Sequence, residues 1–426
     1  NRRMGKASRK TRPRRRGQTD TATTKTRVAH RVPSLCILRH GATPPEDPRV
    51  PRLFISCGEP SGEFYAAELV AELRRARPDL EVFGLGGDRL ATEDVRLLAH
   101  LRDLAVVGLF EVLSHLRRLK RLFDGVVSEV ARLRPDVAVL VDYPDFNLRL
   151  AREFRKLGIP VVYYVSPQLW AWRGGRIHAV KRDVAKMLVI FPFEEKIYRD
   201  AGVPVAFIGH PLVDVVKPPE NRGAEARALG LDGERPLVAL LPGSRNKEVA
   251  FNLPPMIGAV KELRARRPEL QFVLAAAPHL REDALREAVE AGIVVREGVT
   301  REILAAARVA VVASGTATVE TGLTLTPMVV VYRLSALTYA LGKPLVQVSN
   351  YAMVNLIAGR VVVPELIQSD FTPGRVAGET LRLLDDGPDR TRMLEGLSEV
   401  RARLGASGAT QRAAREVAPF LSGAPA

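Results

Sequence analysis

Cysteine is almost missing from the 426 residues, with Cys36 and Cys57 the only two. Two thiols build neither a disulfide framework nor a four-thiolate zinc site, and such sparing use fits a reducing cytoplasm. Aromatic residues are 6% of the chain, so any core must be mainly aliphatic. No run of about 18 apolar residues occurs, which excludes a membrane-spanning helix. Several catalytic signatures are missing too. The sequence holds no Gly-x4-Gly-Lys-Ser/Thr phosphate loop, no complete Gly-x-Gly-x-x-Gly, no Gly-x-Ser-x-Gly elbow and no His-Glu-x-x-His. Nor is there an Asp-x-Asp pair to hold a divalent ion on a nucleotide sugar.

Positive charge is abundant but unevenly placed. The net charge is +16, and residues 1–50 carry +11 of it, leaving +5 for everything that follows. Nine Lys and Arg precede residue 17, with no aliphatic periodicity among them. Such a segment buries too little apolar surface to offset its ordering entropy, so residues 1–50 are predicted to be a basic disordered tail. It suits nucleic acid or acidic lipid, and equally a plain solvated extension. No apolar stretch follows it, so it does not read as a secretory signal. The body, at +5 and poor in aromatics, argues against a nucleic-acid-binding protein.

From Arg52 onward short apolar runs alternate with amphipathic stretches. Runs at 53–57, 82–85, 137–141, 161–165, 187–190 and 205–208 read as strands, and those at 237–241, 272–275, 309–312 and 328–331 form a second series. Between the series, 211–235 turns polar and rich in Pro and Gly, which reads as a linker. The fold class predicted is α/β, with two Rossmann-like domains facing a cleft. The first spans 51–215 and the second 216–390, with helices over 391–426 packing back on the first. A further helical segment, 104–123, is aliphatic and then basic. Leu109 and Phe110, with Arg117, Arg118, Lys120 and Arg121, suit contact with an anionic membrane surface; a helix packed on its own domain is the alternative.

Four loops follow predicted strands, where open α/β sheets hold ligands. Gly58-Glu59-Pro60-Ser61-Gly62-Glu63 offers close backbone approach and a helix N-terminus, or simply a turn capped by Ser61. In Asp142-Tyr-Pro-Asp-Phe-Asn147 a carboxylate at a strand end can take a proton from an attacking hydroxyl. Asp142 is the candidate, and Asp145 is either a second candidate or the cap of a helix starting near Phe146. Pro242-Gly243-Ser244-Arg245 supplies a guanidinium for phosphate oxygens. Ser314-Gly315-Thr316 is a phosphate cradle at a helix start, with Glu320 one turn in to accept from ribose hydroxyls. Together on one sheet edge they favour a nucleotide diphosphate.

These loops belong to a longer series of motifs. Gly58-Glu-x-Ser-Gly, Asp142-x-Pro-Asp-Phe-Asn147, Tyr164-Val-Ser-Pro-Gln-Leu-Trp-Ala-Trp-Arg173, Phe191-Pro-Phe-Glu194, Phe207-Ile-Gly-His210, Leu241-Pro-Gly-Ser-Arg245, Ala313-Ser-Gly-Thr316 and Asn355-Leu-Ile-Ala-Gly-Arg360 together resemble the lipid-A-disaccharide synthases over about residues 52–420. The resemblance implies an inverting GT-B glycosyltransferase of lipid A biosynthesis. Its donor would be UDP-2,3-diacylglucosamine and its acceptor 2,3-diacylglucosamine 1-phosphate, giving a β-1,6 disaccharide and UDP. It also implies no metal, no cofactor, no nucleic acid, a peripheral place on the cytoplasmic face of the inner membrane, and room for a homodimer. Carried over residue by residue, Asp142 becomes the base and Glu59 a second essential acid. Arg245, Ser314, Gly315, Thr316 and Glu320 fall on the UDP side, with Asn355 and Arg360 near the donor. Pro60 and Glu63 stand where the family often has Thr and Asp, and Glu63 conserves the acid. A UDP-sugar transferase or epimerase acting on unacylated sugars would share the second-domain loops but lack the tryptophan block.

Overall fold

The computed structural model describes residues 50–101, 112–169, 174–278, 280–335, 339 and 350–421. The predicted tail up to residue 49, Leu109 and Phe110 with the rest of 102–111, and the tryptophan block at 170–173 lie outside the described residues.

Two parallel sheets organise the chain. The first has strands β1 (Arg52–Cys57), β2 (Glu81–Gly86), β3 (Arg96–His100), β4 (Val137–Val141), β5 (Val161–Tyr164), β6 (Lys186–Val189) and β7 (Val205–Phe207), in the order β3-β2-β1-β4-β5-β6-β7. The second has β8 (Leu237–Leu241), β9 (Gln271–Ala276), β10 (Val294–Glu297), β11 (Val309–Ala313), β12 (Met328–Tyr332) and β13 (Glu365–Ile367), in the order β10-β9-β8-β11-β12-β13. The central strands β4, β8 and β11 are buried along their whole length and consist of Val, Leu and Ala. Helices cover both faces of such a strand, so no polar alternation survives in it.

Sequence patterning finds neither β3, β10 nor β13. All three lie on sheet edges, are at most half-buried along most of their length and carry Arg, His or Glu. An edge strand exposes one side, so its apolar run is short.

The predicted linker is more ordered than its composition suggests. It contains helices Leu212–Val215 and Arg222–Ala228. Asn221 caps the second by accepting from Ala224 N at 3.0 Å, and Arg222 donates to the carbonyls of Leu304, Ala305 and Ala307. After β13 come helices Pro373–Leu384, Pro388–Arg403 and Ala409–Leu421. Helix Pro388–Arg403 stays against the second sheet's helices Thr316–Leu323 and Met353–Ala358. Helix Ala409–Leu421 crosses back, packing on helix Pro60–Ala76 beside β1. Its buried Val417 and Leu421 contribute about 1.5–3 kcal/mol each to that contact. Arg412 fastens the crossing by donating to Ile208 O at 2.7 Å and Ala406 O at 2.6 Å.

Candidate functional site

In both sheets the strand order reverses beside the first strand of the unit, between β1 and β4 and between β8 and β11. Open α/β sheets bind ligands outside the carboxyl ends of strands at such switch points. Register aligns those ends. Cys57 lies opposite Val141 and Val141 opposite Tyr164, while Leu241 lies opposite Val312 and Ala313 opposite Val331. The four loops singled out by sequence are the four that leave these two points.

The first switch point is acidic and strained. Asp142 and Tyr143 both have left-handed backbone, with φ of 47° and 50°. Non-glycine residues held there cost on the order of 1–3 kcal/mol each. A buried network offsets this. Asp142 O accepts from Asn147 Nδ2 at 2.8 Å and from Tyr163 Oη at 2.6 Å, and Asp142 N donates to Tyr164 O at 3.0 Å. Asn147 is fully buried, and its Oδ1 accepts from Ser56 Oγ at 2.8 Å. The turn lays the Tyr143 ring on Gly58, where a Cβ would stand 2.1 Å from the nearest ring carbon. No other residue fits there without moving the ring.

Asp142 is mostly buried, and its pKa is pushed up to about 6, first by that burial and then by Glu59. A backbone hydrogen bond from Tyr143 and the charge of Arg245 pull the other way. This is a carboxylate able to hold and release a proton near neutral pH. Asp145 differs: it is exposed and ion-paired to Arg176. The helix it was expected to cap begins at Pro144, with Tyr143 at the cap position. Ser61 likewise caps nothing, since helix Pro60–Ala76 starts one residue before it. Glu63 is buried and accepts from Arg89 N at 2.8 Å and Leu90 N at 3.3 Å, so its carboxylate holds helix Asp88–Thr92.

At the second switch point the groups are cationic and glycine-rich. Gly243 has φ 122°, and a Cβ there would meet Glu248 at 2.7 Å. Glu248 accepts from Ser244 N at 3.2 Å and from Arg245 Nη1 at 3.0 Å, which fixes the loop and the guanidinium together. The other Arg245 nitrogen, Nη2, crosses between the sheets to Glu59 Oε1 at 3.1 Å. Gly315 and Thr316 are exposed at the start of helix Thr316–Leu323, and Ser314 Oγ donates to Tyr351 O at 2.8 Å. Glu320 is paired to Arg301 Nε at 3.2 Å, and Arg301 lies over the ring of Phe64 in the first unit, 5.5 Å from its centroid.

Glu59, Asp142, Arg245, Glu320 and the start of helix Thr316–Leu323 thus gather along the facing sheet ends. The buried Tyr65 links them, its hydroxyl pKa raised by burial first and then by Glu320, with Asp142 adding to the rise and Arg301 opposing it. Asn355 and Arg360 are engaged elsewhere. Asn355 is fully buried, donating to Val363 O and Glu365 Oε1 at 2.9 and 2.7 Å and accepting from Val362 N and Val363 N at 2.7 and 3.0 Å. Its amide shapes the loop after helix Met353–Ala358 and has nothing left for a ligand. Arg360 pairs with Glu399 at 2.7 Å on helix Pro388–Arg403.

Sequence reasoning passed over Glu248, Arg301, Tyr65 and Tyr163. Glu248 had a signal, since a Glu three residues past a helix cap reaches back to it. Arg301 had none, because its partners lie in other elements.

In helix Val112–Leu133 the residues Arg117, Arg118, Lys120 and Arg121 are exposed, and Lys120 pairs with Asp124 at 2.6 Å. Leu119, Leu122 and Phe123 pack on their own domain, Phe123 edge-on to Phe146 at 5.6 Å. Leu119, Leu122 and Phe123 therefore turn towards the domain, and the basic residues stand on the outer face. Among the described residues no helix is long and apolar enough to cross a membrane, and no three His, Cys, Asp or Glu are grouped to hold a metal ion.

The profile of the lipid-A-disaccharide synthetase family matches residues 53–414. A lipid-A-disaccharide synthase of Myxococcus xanthus is 47% identical over 374 residues, covering 87% of this chain and 98% of that one. One from Geobacter sulfurreducens is 40% identical over 373 residues, covering 87% and 97%. Among solved structures, UDP-GlcNAc 2-epimerase from Neisseria meningitidis bound to UDP-GlcNAc has a TM-score of 0.59 at 10% identity, over 86% of this chain and 99% of that one. The glycotransferase of kitacinnamycin has a TM-score of 0.57 at 19% identity, over 88% and 100%. At such identities the structures speak for the fold alone, the GT-B arrangement of two facing sheets. With a profile spanning most of its length and relatives this similar, the chain belongs to the lipid-A-disaccharide synthetase family, glycosyltransferases of lipid A biosynthesis.

Proposed function

We propose that this enzyme transfers 2,3-diacylglucosamine from UDP to the 6-hydroxyl of 2,3-diacylglucosamine 1-phosphate, with inversion at the anomeric carbon. The observation that carries the reading is Arg245 reaching over from the other sheet to Glu59, which lies close to the mostly buried carboxylate of Asp142. Asp142 takes the proton of the attacking hydroxyl, and the opposite face of the anomeric carbon loses UDP. Arg245 and the N-terminus of helix Thr316–Leu323 stabilise charge developing on the diphosphate. Glu320 accepts from the ribose hydroxyls, and Ser314 positions the cradle through Tyr351. Asn355 acts indirectly by holding its loop. Arg360 reaches the donor only by leaving Glu399.

Both substrates carry acyl chains, so the reaction takes place at a lipid surface. Arg117, Arg118, Lys120 and Arg121 are the proposed contact with anionic lipid on the cytoplasmic face of the inner membrane, each worth about 1 kcal/mol near the surface. A chain beginning at Pro51 should still sediment with anionic vesicles at low salt, and changing all four residues to Ser should release it. Loss of binding on removal of the tail alone would make the tail the anchor.

The deciding assay incubates the protein with both acylated sugars and follows UDP and disaccharide by mass spectrometry, with the new linkage assigned by NMR. Disaccharide formation is the expected result. Epimerisation of UDP-GlcNAc without an acceptor, and no disaccharide, would replace this reading.

A further inference from the structure

Arg245 and Glu59 belong to opposite sheets, yet each is the other's partner across the cleft at 3.1 Å. Both side chains are about half exposed, at 63% and 46%. An ion pair in that setting contributes little net stability and exchanges readily. On the proposed reading, Arg245 is also the guanidinium that meets the donor's diphosphate, which carries more charge than one carboxylate. The two anions compete for a single cation.

We infer that donor binding is a partner exchange: the diphosphate takes Arg245 from Glu59 and leaves the Glu59 carboxylate unpaired beside Asp142. This rests on the donor site proposed above and gives Glu59 a role as a positioning residue rather than a second base. The local structure suits it. Glu59 follows Gly58, which lies under the Tyr143 ring, and Tyr143 follows Asp142, so the two acids are held near each other by packing. The Glu59 side chain makes no capping hydrogen bond to helix Pro60–Ala76, so it has no structural task to abandon. Glu248 keeps its own hold on Nη1, so Arg245 stays oriented while Nη2 changes partner.

The exchange acts on the base in one direction. Glu59 raises the proton affinity of Asp142 and Arg245 lowers it, so pairing Arg245 with diphosphate removes the opposing influence and exposes the supporting one. Among the described residues, the other titratable groups near Asp142 are Tyr65, Tyr163 and its neighbour Tyr143, whose pKa values are all raised, first by burial. They stay neutral at physiological pH and do not mask the change. Asp142 would therefore be the better base only while a donor is present. Part of the donor's binding energy is given up to achieve this, the pattern that favours turnover over tight binding.

The test is calorimetric titration of UDP and, separately, uridine into the full chain, alongside turnover of the same preparations. Glu59→Gln should tighten UDP by about 2- to 5-fold, because an exposed competing pair is removed. Uridine affinity should not change. Turnover should fall by about 3- to 10-fold although UDP binds better. Glu59→Ala removes the same charge and must move both quantities in the same directions. Weaker UDP binding would mean that Glu59 itself holds the donor, and unchanged binding would mean no competition; either overturns the exchange. Turnover kept at the wild-type level would overturn it as well. Failure of the wild-type protein to bind UDP at all would instead remove the donor-site reading on which it stands.

Discussion

At the first switch point the residues forced into left-handed backbone are Asp142 and Tyr143, whereas at the second Gly243 and Gly315 take the positive φ angles. Glycine adopts such angles without steric cost and leaves space for phosphate oxygens to approach the backbone. A non-glycine pair needs its strain offset, and here the buried amide of Asn147, the Tyr163 hydroxyl and the Tyr143 ring on Gly58 do so. The comparison separates two ways of building a ligand-facing loop. On the proposed function, one side aims a single carboxylate along a fixed direction, as proton transfer requires, and the other presents open donors to an anion whose many oxygens tolerate small displacements.

The largest expected effect comes from removing the aimed group. Asp142→Asn should lower turnover by about 10²–10⁴-fold while UDP still binds. Turnover near the wild-type level would move the base to Asp145 or Glu59. The same variant should be more stable than the wild type at neutral pH. The folded pKa of Asp142 lies above its ordinary value of 3.8, so its contribution to stability is complete below that value and is lost as pH rises through about 6. Melting curves at pH 7.5 should favour the variant by roughly 1–2 kcal/mol, once partial exposure is allowed for.

On the opposite side, Arg245→Ala should weaken UDP by about 2–3 kcal/mol, the loss of a charged hydrogen-bonding partner. Unchanged calorimetry would take the diphosphate away from the second sheet. An effect of similar size on stability should come from the lock itself. Asn147→Ala should destabilise the fold by about 2 kcal/mol, since it strips a partner from the Asp142 carbonyl in a buried site. Turnover should fall with it and UDP affinity should not, because the lock serves only the acidic half. An equal loss of UDP affinity would show that the two halves are not separable.

Much of this was legible in the sequence. The interior strands announce themselves because burial on both faces makes them continuous runs of Val, Leu and Ala, as at β4 and β11. Strands β3, β10 and β13 do not, since a sheet edge permits Arg96, Glu297 and Glu365. Among the proposed site residues, Asp142, Glu59, Arg245 and Glu320 could be singled out because each stands in or just behind a loop that follows an interior strand. The partners of Asn355 could not be read from its motif. Nothing local shows that Glu365 and the chain at 362–363 claim its whole amide. Glu63 misleads in the same way, an acid in a promising loop whose partners are backbone amides 26 residues or more away. Pairings across the cleft, such as Arg245 with Glu59 or Arg301 with Phe64, depend on how two domains meet, and no local pattern encodes that.

The division of labour rests on Asp142 being the group that takes the proton, and the pH dependence of wild-type kcat/KM for the acceptor tests this most directly. Burial and Glu59 place its pKa at about 6 before a donor binds, and in the donor-bound enzyme that meets the acceptor it should lie at or above that value. The rate constant should fall tenfold per pH unit below the pKa of the donor-bound enzyme. The Asp142→Asn variant should retain only a low rate with no such limb. A wild-type profile flat through pH 6, or the same acidic limb surviving in Asp142→Asn, would contradict the account.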